Sequence, residues 1–203
     1  MTADGFRRLG ETLVHQGHIW HVAVAEFEAP DGSTFRRDLV RSPGAVAVVP
    51  VLFDAEGNAS VVLVSQYRPA YERAIIEVPA GMRDIEGEST AEVARRELAE
   101  EAGLAAASLE LLTEILPSPG MTDAVTTLYL ATGCTPVADD RQGPEEEHME
   151  LLNVPLTDAV AMVERGEISD AKSVVALLFA ERRLLAADRG AVTPPPEPGA
   201  TSD

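Results

Sequence analysis

The reading of this chain turns on Gly81-Met82-Arg83-Asp84-Ile85-Glu86-Gly87-Glu88-Ser89-Thr90-Ala91-Glu92-Val93-Ala94-Arg95-Arg96-Glu97-Leu98-Ala99-Glu100-Glu101-Ala102-Gly103-Leu104. Ser89 to Glu92 matches a capping box, in which the Ser hydroxyl and the Glu carboxylate satisfy two free backbone donors at a helix start. A helix is therefore expected from near Thr90. Ala94, Leu98 and Ala102 recur at i, i+4 and i+8 as its packed stripe, and Gly103 stands where a left-handed cap stops it. Glu97 and Glu101 fall one turn apart, with Glu100 three residues from Glu97. Like charges at this spacing repel by about 0.2–0.5 kcal/mol per pair. Two readings follow: a solvated acidic face, or an oxygen-rich ligand set for a hard divalent cation such as magnesium, which takes one or two carboxylates plus waters and phosphate oxygens.

Outward from this helix, strands are expected on both sides. His18 to Phe27, the turn Pro30 to Ser33 and Thr34 to Val40 read as an antiparallel hairpin. Ala45 to Phe53 and Ala59 to Tyr67 read as central strands about the turn Asp54 to Asn58, and Ile75 to Val78 as a shorter one. Pro79-Ala80-Gly81 leads into a polar loop from Met82 to Glu88. Downstream, Ser108 to Leu116, Ala124 to Ala131 and Leu151 to Val154 read as strands, and Thr157 to Arg165 and Ala171 to Ala187 as helices. The class is α+β, with a sheet packed against helices. Three regions are expected: an N-terminal β segment over 1–43, a main α+β domain over 44–187, and a disordered tail over 188–203, whose Pro194-Pro195-Pro196-Glu197-Pro198-Gly199 run has little to bury.

A formal net charge of −18 argues against nucleic-acid or anionic-membrane surfaces, which need a Lys/Arg field to displace counterions. No apolar run is long enough to span a bilayer, and the first residues lack the apolar stretch of a secretory signal. Cys134 is the only cysteine, which excludes an intrachain disulfide; a reducing cytoplasm is the expected compartment, with Cys134 as a small buried hydrophobe rather than a reactive thiol. An acidic protein that binds phosphates needs metal cations to neutralise them.

The segment from Gly81 to Leu104 resembles the Nudix box, G-x5-E-x7-R-E-U-x-E-E-x-G-U with U bulky and aliphatic. One departure is visible: six residues, not five, separate Gly81 from Glu88. The extra residue falls in a loop, where added length costs little entropy. The resemblance implies a Nudix fold, a mixed β-sheet sandwiched between helices. It implies Glu97 and Glu101 as the main ligands of magnesium, or manganese in its place, with Glu100 and the backbone carbonyl of Ala80 nearby. Arg96 is then structural, pairing with Glu88 and orienting the glutamates.

Two flanking stretches resemble the ADP-ribose pyrophosphatase branch: Gln66-Tyr67-Arg68 ahead of Glu77-Val78-Pro79-Ala80-Gly81, and Ser118-Pro119-Gly120-Met121-Thr122-Asp123 after the box. Arg68 at a strand end suits bidentate phosphate recognition or an ion pair. Gly120 suits close approach of backbone to ligand or a plain turn. Glu77 belongs to the same implied substrate site. In the related enzymes the N-terminal β segment exchanges between two protomers and sandwiches the adenine, so the resemblance implies a homodimer. Trp20 is the aromatic for stacking, unless it is core, and Arg41 a phosphate contact from the same region.

The expected reaction is magnesium-dependent hydrolysis of the diphosphate of ADP-ribose to AMP and ribose 5-phosphate. The family's general base comes from a loop before the final strand, here Gly143-Pro144-Glu145-Glu146-Glu147-His148. Glu146 is the first choice, with Glu145 and Glu147 as rivals. The alternatives are another nucleoside-diphosphate sugar or a dinucleotide as substrate, and a ligand sensor of the same fold that has lost catalysis.

Overall fold

The structure is a computed structural model and describes residues 5–138 and 148–188. The expected tail over 188–203 lies outside the described residues, apart from Asp188 as the last residue of a helix.

Alternation along the central strands explains the layers. In β4 (Ala45–Phe53), Val46 and Val48 point to one side, and Ala47, Val49 and Val51 to the other; all five are buried. In β9 (Thr126–Pro136), Tyr129 and Ala131 take the first side, and Leu128 and Leu130 the second. A strand that is apolar on both faces needs cover on both. The first face meets Val93, Ala94 and Leu98 of α1 (Thr90–Ala102). The second meets Leu156, Ala159 and Val160 of α2 (Leu156–Glu164) and Ala176, Leu177 and Ala180 of α3 (Ala171–Asp188).

The strand order is β10-β5-β4-β9-β8, where β5 is Ala59–Arg68, β8 Leu104–Ile115 and β10 Glu150–Pro155. Two short strands complete the sheet: β6 (Arg73–Glu77) pairs with β5, and β7 (Ala80–Met82) with β4. β4 and β9 run parallel, Ala45 opposite Thr126 through Pro50 opposite Ala131, and the other described pairs are antiparallel. This mixed sheet between helices is the expected architecture. These elements form one of two compact units, made of residues 45–115 and those from 126 onward.

The other unit takes the residues up to 44 together with 116–125. It contains an antiparallel sheet of β1 (Arg7–Gln16), β2 (His21–Glu28) and β3 (Thr34–Arg41), in that order. Phe27 and Phe35 face each other across β2 and β3 with ring centroids 5.5 Å apart. Val40 donates its N–H to the Met121 carbonyl at 2.9 Å, which ties the 116–125 segment to β3.

Three differences from the sequence reading have physical causes. β1 was not expected: its residues are all exposed, so Leu9, Leu13 and Val14 lack the in-and-out alternation that marks a half-buried strand. β8 begins four residues early, at Leu104, because Ala105, Ala106 and Ala107 carry little strand preference and are recruited by pairing with β9. Ala80–Gly81–Met82, read as the start of a loop, is a short strand because β4 offers it a partner.

Among the described residues, no helix is long and apolar enough to cross a membrane.

Candidate active site

The site is built where β5, β6, β7 and α1 converge. Helix α1 starts as its sequence dictates: Ser89 Oγ accepts from the Glu92 N–H, and Glu92 accepts from the Ser89 N–H at 2.7 Å. It ends at Gly103 in the left-handed region, φ 62°, where its N–H reaches the Ala99 carbonyl. With both ends set, Ala94, Leu98 and Ala102 bury as the packed stripe, and Glu97 and Glu101 beside them are only 7% and 3% exposed.

A carboxylate is costly to bury without compensation. Part of that compensation is backbone: the Ala80 N–H donates to Glu101 Oε2 at 2.8 Å. Gly81 supplies room. A Cβ at that position lies 1.9–2.3 Å from the carboxylate atoms of Glu97, so the glycine is needed for close approach of a side chain.

Arg96 supplies positive charge. Its Nη1 donates to Glu97 Oε1 at 2.7 Å and to Glu100 Oε2 at 3.0 Å. Its other nitrogens lie 3.3–3.4 Å from the Glu88 carboxylate, and Nη2 is 3.5 Å from Asp84. Burial disfavours the guanidinium charge, but the Glu88 hydrogen bonds and the charges of Glu97 and Glu100 outweigh it and raise its pKa above the ordinary value. The structure thus brings Arg96 and Glu88 together as expected, and adds Asp84. The repulsion anticipated among the helix glutamates is offset in part by Arg96.

At the end of β6, three residues before β7, Glu77 is 3% exposed. Arg68, at the end of β5, grips it in a bidentate pair, Nε to Oε1 at 2.7 Å and Nη2 to Oε2 at 2.8 Å. Lys172 Nζ also donates to Glu77 Oε2, and to Asp170 Oδ2 at 2.9 Å. Burial raises the Glu77 pKa, yet Arg68 and Lys172 more than cancel that and hold the carboxyl below its ordinary value of 4.5. Next door, the fully buried Ser173 hydroxyl accepts from the Val78 N–H at 2.9 Å and donates to Asp170 Oδ2 at 2.5 Å. Asp170 also accepts from the Ser173 N–H at 3.0 Å, so it caps α3 while fixing the Ser173 hydroxyl.

Asp84, Asp170, Lys172 and Ser173 were absent from the sequence reading. The one local signal for the last three was the Asp170-to-Ser173 spacing of a helix cap.

The remaining candidates lie elsewhere. Trp20, Arg41 and Gly120 belong to the N-terminal unit. Trp20 precedes β2 and is 54% exposed, so it is not core. Arg41 is held by Glu11 and by Asp123 at 2.9 Å, and Glu11's hydrogen bond raises its pKa above the ordinary value. Gly120 sits in a turn in which Met121 and Thr122 donate to the Ser118 carbonyl, with open space where a side chain would be. Glu145, Glu146 and Glu147 lie outside the described residues; His148 is described and exposed.

The donors gathered around Ala80 and α1 are all oxygens, which suits a hard cation over a soft one. Among the described residues no group of three or more His, Cys, Asp or Glu side chains is placed to hold a metal ion by itself.

A family model described as the NUDIX domain matches residues 43–178. The ADP-ribose pyrophosphatase of Bacillus subtilis (strain 168) is 33% identical over 173 residues, covering 85% of this chain and 91% of that protein. The ADP-ribose pyrophosphatase of Mycobacterium tuberculosis is 33% identical over 178 residues, 88% of this chain and 84% of its own. A methanol dehydrogenase activator of Bacillus methanolicus is 33% identical over 166 residues, 82% and 87%. A solved structure described as an ADP compounds hydrolase superposes with a TM-score of 0.76 at 24% identity, over 93% of this chain and 99% of that one, and shows the same fold. The match over 43–178 and these near full-length similarities establish that the chain belongs to the Nudix hydrolase family, where it is similar to the ADP-ribose pyrophosphatases.

Proposed function

We propose that this protein hydrolyses the diphosphate of ADP-ribose to AMP and ribose 5-phosphate with magnesium, or manganese in its place. The observation that carries the reading is the pair of carboxylates one helical turn apart, Glu97 and Glu101, sunk against the bare backbone of Ala80 and Gly81. These two residues would hold the metal, with Glu100 and the Ala80 carbonyl beside them. Bound there, a divalent cation neutralises charge developing on the diphosphate and lowers the pKa of an attacking water.

The chain's own residues do the rest. Arg96, joined to Glu88, Asp84, Glu97 and Glu100, holds the carboxylates in one orientation, as a supporting shell must. Arg68 brings a planar fork matched to a phosphate, held in reserve on Glu77 at the same substrate site. We assign proton abstraction from the water to one of residues 145–147, with Glu146 first and Glu145 or Glu147 next. Trp20 and Arg41 serve the adenine and phosphates from the N-terminal β segment, with Gly120, which has open space where a side chain would be, as a further substrate contact. We infer that residues 1–43 exchange between two protomers; the uniformly exposed β1, with Leu9, Leu13 and Val14 on its surface, supports that assembly.

The similarity in substrate comes from the two ADP-ribose pyrophosphatases. The second reading is cleavage of another nucleoside-diphosphate sugar or of a dinucleotide at the same site. Incubation with ADP-ribose and magnesium, with product identification, tests the first reading. A panel of nucleotide sugars and dinucleotides ranked by kcat/KM separates the two, and a higher ratio for a dinucleotide overturns the ADP-ribose assignment.

A further inference from the structure

We propose that Lys172 is a positioning residue, a standby counterion for Glu77 that frees Arg68 to leave its ion pair and grip the substrate's diphosphate. This rests on the hydrolase reading above.

The geometry gives Glu77 two cations where one would neutralise it. Arg68 takes both carboxylate oxygens, and Lys172 shares Oε2. The two cations are not equally fixed. Lys172 is pinned between Glu77 and Asp170, and Asp170 is itself pinned by the Ser173 hydroxyl and N–H. Arg68 has Glu77 as its partner, and its side chain is 37% exposed, against 4% for Glu77 and 16% for Lys172. Arg68 is therefore the member that can swing away.

Glu77 occupies the side-on edge of Arg68, Nε with Nη2, one of the two edges on which a guanidinium binds a phosphate bidentately. Gripping a diphosphate through that edge means vacating Glu77. Leaving a buried carboxylate with no partner costs more than about a hundredfold in an equilibrium constant. Lys172 removes most of that penalty because Glu77 remains paired after Arg68 departs.

Three variants test this with ADP-ribose. Lys172→Met should raise KM roughly tenfold or more while kcat changes less than about threefold, the pattern of lost binding common to ground and transition states. Lys172→Arg, which keeps the charge, should restore KM. Adding Glu77→Gln to Lys172→Met should also lower KM again, because no buried charge is left to strand and nothing holds Arg68 back. Plain structural damage would instead make the double variant worse than the single.

A kcat loss at unchanged KM, or a double variant no better than Lys172→Met, would overturn the proposal. Should Lys172→Met fail to fold, Lys172→Gln compared with Lys172→Arg carries the same contrast. Calorimetric Kd values for ADP-ribose should move in the same ratios and need no turnover. A wild-type protein that binds without cleaving thus refutes the hydrolase reading and leaves the lysine test standing; one that does neither overturns both.

Discussion

Replacing Gly81 by Ala isolates the carboxylate geometry from the stability of the fold. The added Cβ would meet Glu97 Cδ at 1.9 Å, whereas side-chain carbons essentially never approach closer than 3.0 Å. The shortfall is 3.0 − 1.9 = 1.1 Å, so the carboxylate must withdraw by about that distance. Glu97 ends in a flexible side chain and Gly81 lies in β7 without a positive φ, so the backbone accepts Ala. The fold should lose little. A metal ligand tolerates only about 0.2 Å of misplacement, and a shift near 1 Å at a reacting centre costs on the order of 10²-fold. Gly81→Ala should therefore lower kcat/KM for ADP-ribose about a hundredfold and weaken magnesium uptake by calorimetry, with Tm within a few degrees of wild type. Wild-type turnover together with unchanged magnesium affinity would refute the placement of Glu97 against Gly81 as the metal-holding geometry.

Three further outcomes are expected. Glu146→Gln should depress kcat more than KM, and an effect confined to KM moves the base to another residue. Ser173→Ala strands the Val78 N–H in a fully buried place and should cost about 1–3 kcal/mol in chemical denaturation, where a change under about 0.3 kcal/mol contradicts the bridge. The Glu77 carboxyl is held below its ordinary value, so its contribution to stability is present above that value and lost as pH falls through the folded-state one. Glu77→Gln should then narrow its stability gap from wild type as the solution is acidified, and a gap that widens toward acid would reverse the assigned sign.

What could be read from residues alone was whatever short-range geometry dictates. Ser89 with Glu92 and Gly103 mark both ends of α1, and helical periodicity then places Glu97, Glu101 and Leu98 relative to one another without reference to the rest of the chain. Arg96 with Glu88 followed from the family pattern, eight residues apart. Lys172 and Ser173 escaped because each meets its partner 95 residues away, Glu77 and Val78 respectively. Nothing local in Asp170-Ala171-Lys172-Ser173 distinguishes a site-facing cap from an ordinary one. Gly81 was visible as a motif glycine, but the reason for it, a carboxylate folded onto its α carbon, exists only once α1 packs beside β7. β1 escaped for the opposite reason: it has no buried face to impose a period.

The parallel ladder between β4 and β9 has a consequence for how the chain comes off the ribosome. Ala45 waits for Thr126, 126 − 45 = 81 residues later, before the middle of the sheet can zip. Leu177 of α3, which covers the Val49 side, arrives later still. Until then the Ala47, Val49 and Val51 face of β4 stays uncovered, the condition under which nascent chains aggregate or recruit chaperones. Closing such a distant pair carries a large loop entropy before any reward. Refolding from denaturant should accordingly be slow for a protein of this size, and yield should fall with concentration.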